Sequence, residues 1–318
     1  EDFAASAAQA KRLEAAGWEI IRAAIPNMDA VGLIPVLKEA VSVPIVADIH
    51  FDYRLALESV AAGIDKIRIN PGNIGSEEKV REVVSQAKAM QVPIRIGVNA
   101  GSLEKELLAK YQHPTAEAMV ESAMRHVRIL EDLNFDQIKI SLKASDVPLM
   151  ISAYRLMADK VSYPLHLGVT EAGNAKHGIV KSAVGIGTLL AEGIGDTIRV
   201  SLTGSPLQEI PVAKQILRSL DLYPKGVEII SCPTCGRTQI GLEQLVDQGD
   251  QLLSGIDKPL KLAVMGCVVN GPGEAREADL GIAGGKGEGL IFRKGEIIKK
   301  VPEEKLLDAF KEELDKLL

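Results

Sequence analysis

Short runs in which apolar and polar residues alternate recur along residues 1–223, and amphipathic stretches separate them. In "KIRIN" (66–70), Ile67 and Ile69 lie on one face while Arg68 and Asn70 lie on the other. Strands that alternate with helices at this spacing form βαβ units and a parallel sheet. The pattern predicts seven strands in this region, at residues 19–26, 43–50, 66–72, 93–101, 137–143, 164–170 and 197–204.

The stretches between these strands predict helices, for example "SEEKVREVVSQAKAM" and "TAEAMVESAMRHVRILEDL", and the chain itself opens on a helical stretch. The fold class is therefore α/β. A (β/α)8 barrel needs eight strands. The pattern favours a TIM-type barrel that lacks its first strand in this chain. The alternative is an open, doubly wound parallel sheet.

The sequence after the barrel region predicts a different order of elements. This order is a strand, a helix, a second strand, a glycine-rich loop, a third strand, a hairpin and a last helix, which together make a small α+β domain. We therefore expect two domains, a barrel domain at 1–223 and a second domain at 224–318.

The polar faces of the predicted barrel strands are rich in cations. The apolar faces must cover the side of the sheet beneath the helices, so the polar faces should point into the lumen. Buried charge without counter-charge is costly, and Asp48 and Glu171 supply the only negative charges in the pattern. Arginine binds phosphate oxygens bidentately, so the excess predicts a small diphosphate as ligand. The lumen cations are Arg22, Arg68, Arg95, Lys143 and Arg199, with Lys139 as a further candidate.

Other polar residues share these faces. His50 and His166 read equally well as lumen residues or as core histidines. Thr170 and Glu171 follow a predicted strand at its carboxyl end, where barrel enzymes place catalytic groups. A carboxylate there can also cap the next helix.

The chain holds three cysteines, all in the second domain: Cys232 and Cys235 in a CxxC pair, and Cys267. A CxxC pair is half of a zinc site or a redox pair, and the sequence contains no second pair. Three thiolates with an uncommitted fourth position suit a [4Fe–4S] cluster. Zinc with three cysteines and one other ligand remains open. Glu274, seven residues past Cys267, is either a ligand or a solvated carboxylate at a helix start.

Composition narrows the functional class. The chain has 318 residues, 46% of them hydrophobic and 3% aromatic, and a formal net charge of −6. That charge argues against nucleic-acid binding. No apolar run reaches about 18 residues, so no membrane span is expected. An odd number of cysteines argues against a disulfide framework, which favours a reducing, cytoplasmic setting.

Six motifs together resemble one known family, the bacterial 4-hydroxy-3-methylbut-2-enyl diphosphate synthases of the methylerythritol phosphate pathway of isoprenoid biosynthesis. The resemblance runs over the whole chain, and its long cysteine-containing motif is highly specific. The motifs are "DIHFDYRLAL" (48–57), "RINPGN" (68–73), "HLGVTEAG" (166–173), "SAVGIGTLL" (182–190), "SCPTCGRT" (231–238) and "MGCVVNGPGEAREADLGIAGG" (265–285).

This resemblance implies an oxidoreductase in which a TIM barrel precedes a small domain, ferredoxin- or sulfite-reductase-like, that carries a [4Fe–4S] cluster. The implied reaction is the reductive ring opening and dehydration of 2-C-methyl-D-erythritol 2,4-cyclodiphosphate to 4-hydroxy-3-methylbut-2-enyl diphosphate. The implied electron donor is flavodoxin or ferredoxin. The implied assembly is a homodimer in which the cluster domain of one chain caps the barrel of the other.

The resemblance also implies residue roles. The cluster ligands would be Cys232, Cys235, Cys267 and Glu274, and the catalytic residues Thr170, Glu171 and Glu274. The substrate-binding residues would be Arg22, Asp48, His50, Arg68, Asn70, Arg95, Asn99, Lys143, Arg199 and Ser201. The rival hypotheses are a zinc-containing barrel enzyme acting on a sugar phosphate and a non-catalytic diphosphate-binding protein.

Overall fold

The N-terminal strands pair in chain order, as the strands of a barrel do. The structure is a computed structural model that describes residues 2–70, 74–253, 255–267, 273 and 275–318. In it, β1 to β5 form one parallel sheet, β6 pairs with β7, and a bridge from Ile140 to Leu165 joins the two groups. A doubly wound sheet reverses its strand order at a switch point, so that alternative is wrong and the TIM-type fold is confirmed. The strands are β1 (Ile21–Ala24), β2 (Ile45–Ile49), β3 (Lys66–Ile69), β4 (Ile94–Asn99), β5 (Ile138–Lys143), β6 (His166–Leu167) and β7 (Thr197–Ile198).

Helices separate these strands, and several begin at a side-chain cap. Asp2 accepts a hydrogen bond from Ala5 N at 2.9 Å, and Thr115 accepts one from Ala118 N at 3.1 Å, which satisfies donors that the first turn leaves unpaired. The helices are α1 (Phe3–Ala15), α2 (Met28–Val31), α3 (Leu33–Ala40), α4 (Tyr53–Ala61), α5 (Glu77–Ala89), α6 (Lys105–Tyr111), α7 (Ala116–Asp132), α8 (Val147–Ala158), α9 (Ala175–Ala191) and α10 (Glu209–Arg218).

The two faces of the strands separate as the alternation predicts. Ile67, Ile69, Ile94 and Ile96 are fully buried and belong to the apolar core beneath the helices. Their polar neighbours on the same strands project from the opposite face, because side chains alternate with a period of two. This separation leaves the lumen face to the charged residues.

Strands β6 and β7 are shorter than the sequence predicts, because other groups bind their backbone. Glu209 Oε1 accepts from Leu202 N at 3.0 Å, and Gly173 O accepts from Thr203 N at 2.9 Å. Arg199 N still donates to Leu167 O at 2.9 Å, so the pairing with β6 ends at Arg199 and the later backbone donors bind these other groups instead. A tyrosine hydroxyl interrupts the ladder beside β6, as described below.

The second unit contains a five-stranded sheet in the order β12-β11-β10-β9-β8. β8, β9 and β10 run parallel, while β11 and β12 form an antiparallel hairpin against β10. The elements are β8 (Val227–Ser231), α11 (Leu242–Leu253), β9 (Leu260–Met265), β10 (Leu280–Gly285), β11 (Glu288–Arg293), β12 (Glu296–Pro302) and α12 (Leu306–Asp315).

The chain divides into two compact units, Glu1–Leu220 and Asp221–Leu318. Each has its own apolar core. Over the described ranges, no helix combines the length and apolar character that crossing a bilayer requires.

Candidate functional site

Asp48 lies at the centre of a charged group on the lumen face of β1, β2 and β3. Its carboxylate contacts Arg22 Nη1 at 3.0 Å, Arg68 Nη1 at 3.0 Å and His50 Nε2 at 3.3 Å. Burial alone would raise the pKa of Asp48, but the charges of Arg22 and Arg68 outweigh it and lower that pKa. One ionised carboxylate therefore serves two guanidinium groups.

A glycine on the neighbouring strand makes room for one of these guanidiniums. Arg68 Nη2 donates to Gly97 O at 3.0 Å, so the side chain crosses from β3 to β4. A Cβ atom at position 97 would lie 2.2 Å from Arg68 Nε. Any side chain there would displace the arginine.

Arg95 lies beside Arg68 in the strand register and is only 7% exposed. Its Nε has no hydrogen-bond partner among the described residues. Burial, followed by the charges of Arg68 and Arg22, lowers the pKa of Arg95. A buried cation with an unsatisfied donor beside other cations is costly unless an anion completes the site.

Lys143 and Arg199 extend the cationic group across β5 and the end of β7. Burial, and then the charges of Arg95 and Arg199, lowers the pKa of Lys143 well below its usual range. A Cβ atom at Gly168 would lie 3.2 Å from Lys143 Nζ and 2.7 Å from Arg199 O, so this glycine also makes room. Arg199 Nε has no partner in the described part of the chain. We call Arg22, Arg68, Arg95, Lys143 and Arg199 the lumen cations.

The strand pattern missed Glu209, a carboxylate close to the lumen cations. It is 5% exposed, and the charges of Arg199, Arg22 and Lys143 act on it, although burial dominates and raises its pKa. Glu209 lies at the start of α10, far from any strand alternation. The buried Oε2 atom has no hydrogen-bond partner among the described residues.

His166 and Lys66 also lie near the lumen cations. His166 Nδ1 is 2.8 Å from Thr197 Oγ1, while burial and then Lys143 lower the pKa of His166 far below its usual value. Burial, followed by Lys139 and Arg95, lowers the pKa of Lys66 to about 8. The alternation of "KIRIN" places Lys66 on the same face as Arg68, which is a signal that sequence reasoning could have used.

The remaining predicted barrel residues lie at the carboxyl ends of the strands. Asn70 is buried and donates to Ser102 Oγ at 3.0 Å, and Asn99 pairs with Lys143 in the strand register. Ser201 and Thr170 are half-buried, whereas Glu171 is exposed. Glu171 has φ of 47°, a left-handed conformation that is uncommon outside glycine and is frequent at functional sites.

Two cysteines of the second unit lie on the loop after β8, and the third lies two residues after the end of β9. All three thiols are free. Gly266 N donates to Cys232 Sγ at 3.1 Å, which brings Cys232 next to the residue that precedes Cys267. Hydrogen bonds from the Arg237 backbone, and then from its side chain, lower the pKa of Cys235.

The cysteine region is described only in part. Within the described ranges, no three His, Cys, Asp or Glu side chains are close enough to hold one metal ion. Glu274 lies outside the described residues. The donor chemistry nevertheless suits an iron–sulfur cluster, because it offers three free thiols and a backbone N–H directed at a sulfur.

Both units match a family model. Residues 1–214 match the model described as GcpE TIM-barrel domain, and residues 228–316 match the one described as GcpE protein C-terminal domain.

Curated relatives cover nearly the whole chain. A Geobacter sulfurreducens protein named 4-hydroxy-3-methylbut-2-en-1-yl diphosphate synthase (flavodoxin) is 60% identical over 317 residues, which is 100% of this chain and 90% of that protein. A Clostridium perfringens protein of the same name is 60% identical over 97% of this chain and 88% of its own length. Among solved structures, a Yersinia pestis dihydropteroate synthase has a TM-score of 0.48 and 12% identity over 69% of this chain and 90% of its own.

Proposed function

The chain belongs to the GcpE family, and we propose that it is an oxidoreductase that opens the ring of 2-C-methyl-D-erythritol 2,4-cyclodiphosphate reductively. The product is 4-hydroxy-3-methylbut-2-enyl diphosphate, the compound in the name of the relatives. The reaction belongs to isoprenoid biosynthesis.

The observation that carries this proposal is the excess of cations in the lumen, of which Arg68, Arg95 and Lys143 are buried. Among the described residues, Arg95 and Arg199 each keep a buried Nε without a partner, and Asp48 and Glu209 are the carboxylates that interact with the group. A diphosphate supplies both the missing negative charge and the missing acceptors.

The lumen cations have two tasks in this reaction. They hold the diphosphate in one orientation, and they stabilise the negative charge that develops on it when its carbon–oxygen bond breaks. Asp48 keeps Arg22 and Arg68 in place while the ligand is absent. His50, Asn70, Asn99 and Ser201 line the site as further ligand contacts.

Proton transfer falls to Glu171, with Thr170 beside it. Glu171 is exposed at the carboxyl end of the barrel, where it can donate a proton to the departing hydroxyl group. It is not needed as a helix cap, because Asn174 caps α9 by accepting a hydrogen bond from His177 N at 3.3 Å.

Cys232, Cys235 and Cys267 would hold a [4Fe–4S] cluster, and Glu274 is the proposed fourth ligand. When bound, such a cluster supplies electrons one at a time. The N–H of Gly266 supports this assignment, because hydrogen bonds to the sulfurs are one way in which proteins tune a cluster.

Flavodoxin is the proposed electron donor, since the relatives carry that word in their names. We further propose a homodimer and a cytoplasmic setting, which suits three unpaired thiols. The zinc-containing barrel enzyme is not favoured, because the relatives are named as a flavodoxin-linked synthase.

Metal and sulfide analysis after anaerobic purification tests this proposal. We expect a brown protein with about four iron and four sulfide per chain. A colourless protein with stoichiometric zinc would contradict the proposal and restore the zinc-enzyme hypothesis.

A further inference from the structure

A side chain from helix α8 replaces one backbone hydrogen bond between β5 and β6. Leu142 N donates to the hydroxyl of Tyr154 at 2.9 Å, and that hydroxyl donates to His166 O at 2.5 Å. In an unbroken parallel ladder, Leu142 N would bond to His166 O directly. The hydroxyl therefore stands between two backbone groups that would otherwise meet.

The ladder is intact on both sides of this point. Ile140 N donates to Pro164 O at 3.0 Å on one side, and Thr170 N donates to Ala144 O at 3.3 Å on the other. The separation of the two strands is thus local, and it lies where the tyrosine enters.

The same point is where Lys143 crosses towards the next strands. Lys143 follows Leu142 in the chain, and its Nζ lies 3.2 Å from the place that a Cβ atom of Gly168 would occupy. That place is also 2.7 Å from Arg199 O. The lysine therefore occupies space that exists because a glycine follows β6 directly and β6 stands away from β5 at this point.

Tyr154 is suited to this task. It is fully buried, and burial raises the pKa of its phenol, so it keeps its proton and acts as donor and acceptor at once. Phenylalanine has the same ring but can satisfy neither backbone group. Each would then be left unsatisfied, or the strands would close to form the direct bond.

We propose that Tyr154 is a positioning residue whose hydroxyl holds β5 and β6 apart and so sets where Lys143 meets the ligand. Tyr154 itself does not touch the ligand. The inference rests on the proposed diphosphate role of the lumen.

Titration calorimetry of the full chain with inorganic pyrophosphate tests it. Tyr154→Phe should bind pyrophosphate about tenfold more weakly than wild type, because the charge-assisted contact of Lys143 is displaced. Tyr163→Phe is the matched control, since it removes a hydroxyl that donates to Glu131 on the surface at 2.9 Å, and its affinity should be unchanged.

A double-mutant cycle separates positioning from general destabilisation. In a Lys143→Met background, Tyr154→Phe should cause no further loss of affinity, because the residue through which it acts is gone. If Tyr154→Phe does not fold, Tyr154→Met replaces it in the same cycle, since it also removes the hydroxyl and its flexible side chain can fill the space.

The outcomes distinguish this inference from the proposed function. Wild-type protein that fails to bind pyrophosphate would overturn both. Two results would contradict the positioning role and leave the proposed function standing. In the first, wild type and Tyr154→Phe bind pyrophosphate equally well. In the second, Tyr154→Phe lowers the affinity by the same factor in the Lys143→Met background as in wild type.

Discussion

At the scale of single residues, Arg95 has the clearest conflict between stability and binding. It is 7% exposed, lies beside Arg68, and keeps an unpartnered Nε among the described residues. In the unliganded protein this arrangement lowers the free energy of unfolding. The buried guanidinium loses its hydration, and its cationic neighbours give it little electrostatic stabilisation in return. Sites built for a ligand commonly sacrifice stability in this way.

Arg95→Met should therefore stabilise the unliganded protein while weakening anion binding. Removing the buried charge should raise the free energy of unfolding by about 1 kcal/mol or more. Urea denaturation measures the first effect, and calorimetry with pyrophosphate measures the second. Arg81→Met on the surface of α5 is the control and should change stability by less than about 1 kcal/mol. If Arg95→Met destabilises the protein and leaves affinity unchanged, Arg95 does not face the ligand.

The protonation of Lys143 and Lys66 gives a second prediction, which concerns proton uptake when pyrophosphate binds. Burial and neighbouring cations lower the pKa of Lys143, and they lower that of Lys66 to about 8. A bound polyanion favours the charged form of each lysine, so binding raises these pKa values. Between the lowered pKa values and the ordinary value of 10.5, the protein must take up protons as pyrophosphate binds.

Calorimetry at about pH 8.5 in buffers of different ionisation enthalpy measures this uptake. Pyrophosphate can itself lose a proton in a cationic site, so the two proteins are compared at the same pH and ligand concentration. We expect wild type to take up more protons, or release fewer, than Lys143→Met. Equal proton exchange in both proteins would show that Lys143 does not respond to the ligand.

At the scale of elements, the alternation of residues predicted most of what positions the site. It indicated the seven strands of the barrel unit, and it separated Ile67 and Ile69 from Arg68. It could not indicate Glu209 or Tyr154, which come from helices. Strand periodicity describes only residues on strands, whereas these two contacts depend on the tertiary packing of α10 and α8.

The small residues on the strands are the element-scale feature that is most open to test. Gly97→Ala would place a methyl group 2.2 Å from Arg68 Nε, so the guanidinium must leave Asp48 or Gly97 O. We expect at least about tenfold weaker pyrophosphate binding.

Gly187→Ala is the matched control for this substitution. Gly187 lies in α9 with no atom within 4 Å of its added Cβ, and the change should leave binding intact while stabilising the helix by about 0.5–1 kcal/mol. Equal pyrophosphate affinity in both variants would contradict the role of Arg68.

At the scale of the whole molecule, the chain combines two kinds of chemistry in two units. The barrel unit gathers cations that suit a diphosphate, and the second unit carries all three cysteines. Neither set alone accounts for a reductive ring opening. Cations without a source of electrons would only bind the substrate, and a cluster without the lumen would have nothing to reduce.

The cysteines and the lumen should therefore be separable by mutation. Cys235→Ser changes an exposed residue of the second unit, so pyrophosphate binding by the barrel unit should persist while reduction is lost. Lys143→Met should have the opposite pattern: it should bind pyrophosphate measurably more weakly than wild type while the three cysteines stay in place.

The central claim is that this chain reduces a cyclic diphosphate, and one measurement tests it most directly. The chain, purified anaerobically and supplied with reduced flavodoxin, is incubated with 2-C-methyl-D-erythritol 2,4-cyclodiphosphate, and the products are identified by mass spectrometry. We predict linear 4-hydroxy-3-methylbut-2-enyl diphosphate from wild type and none from Cys235→Ser. Unchanged substrate with iron- and sulfide-loaded wild type, or equal turnover in Cys235→Ser, would contradict the claim.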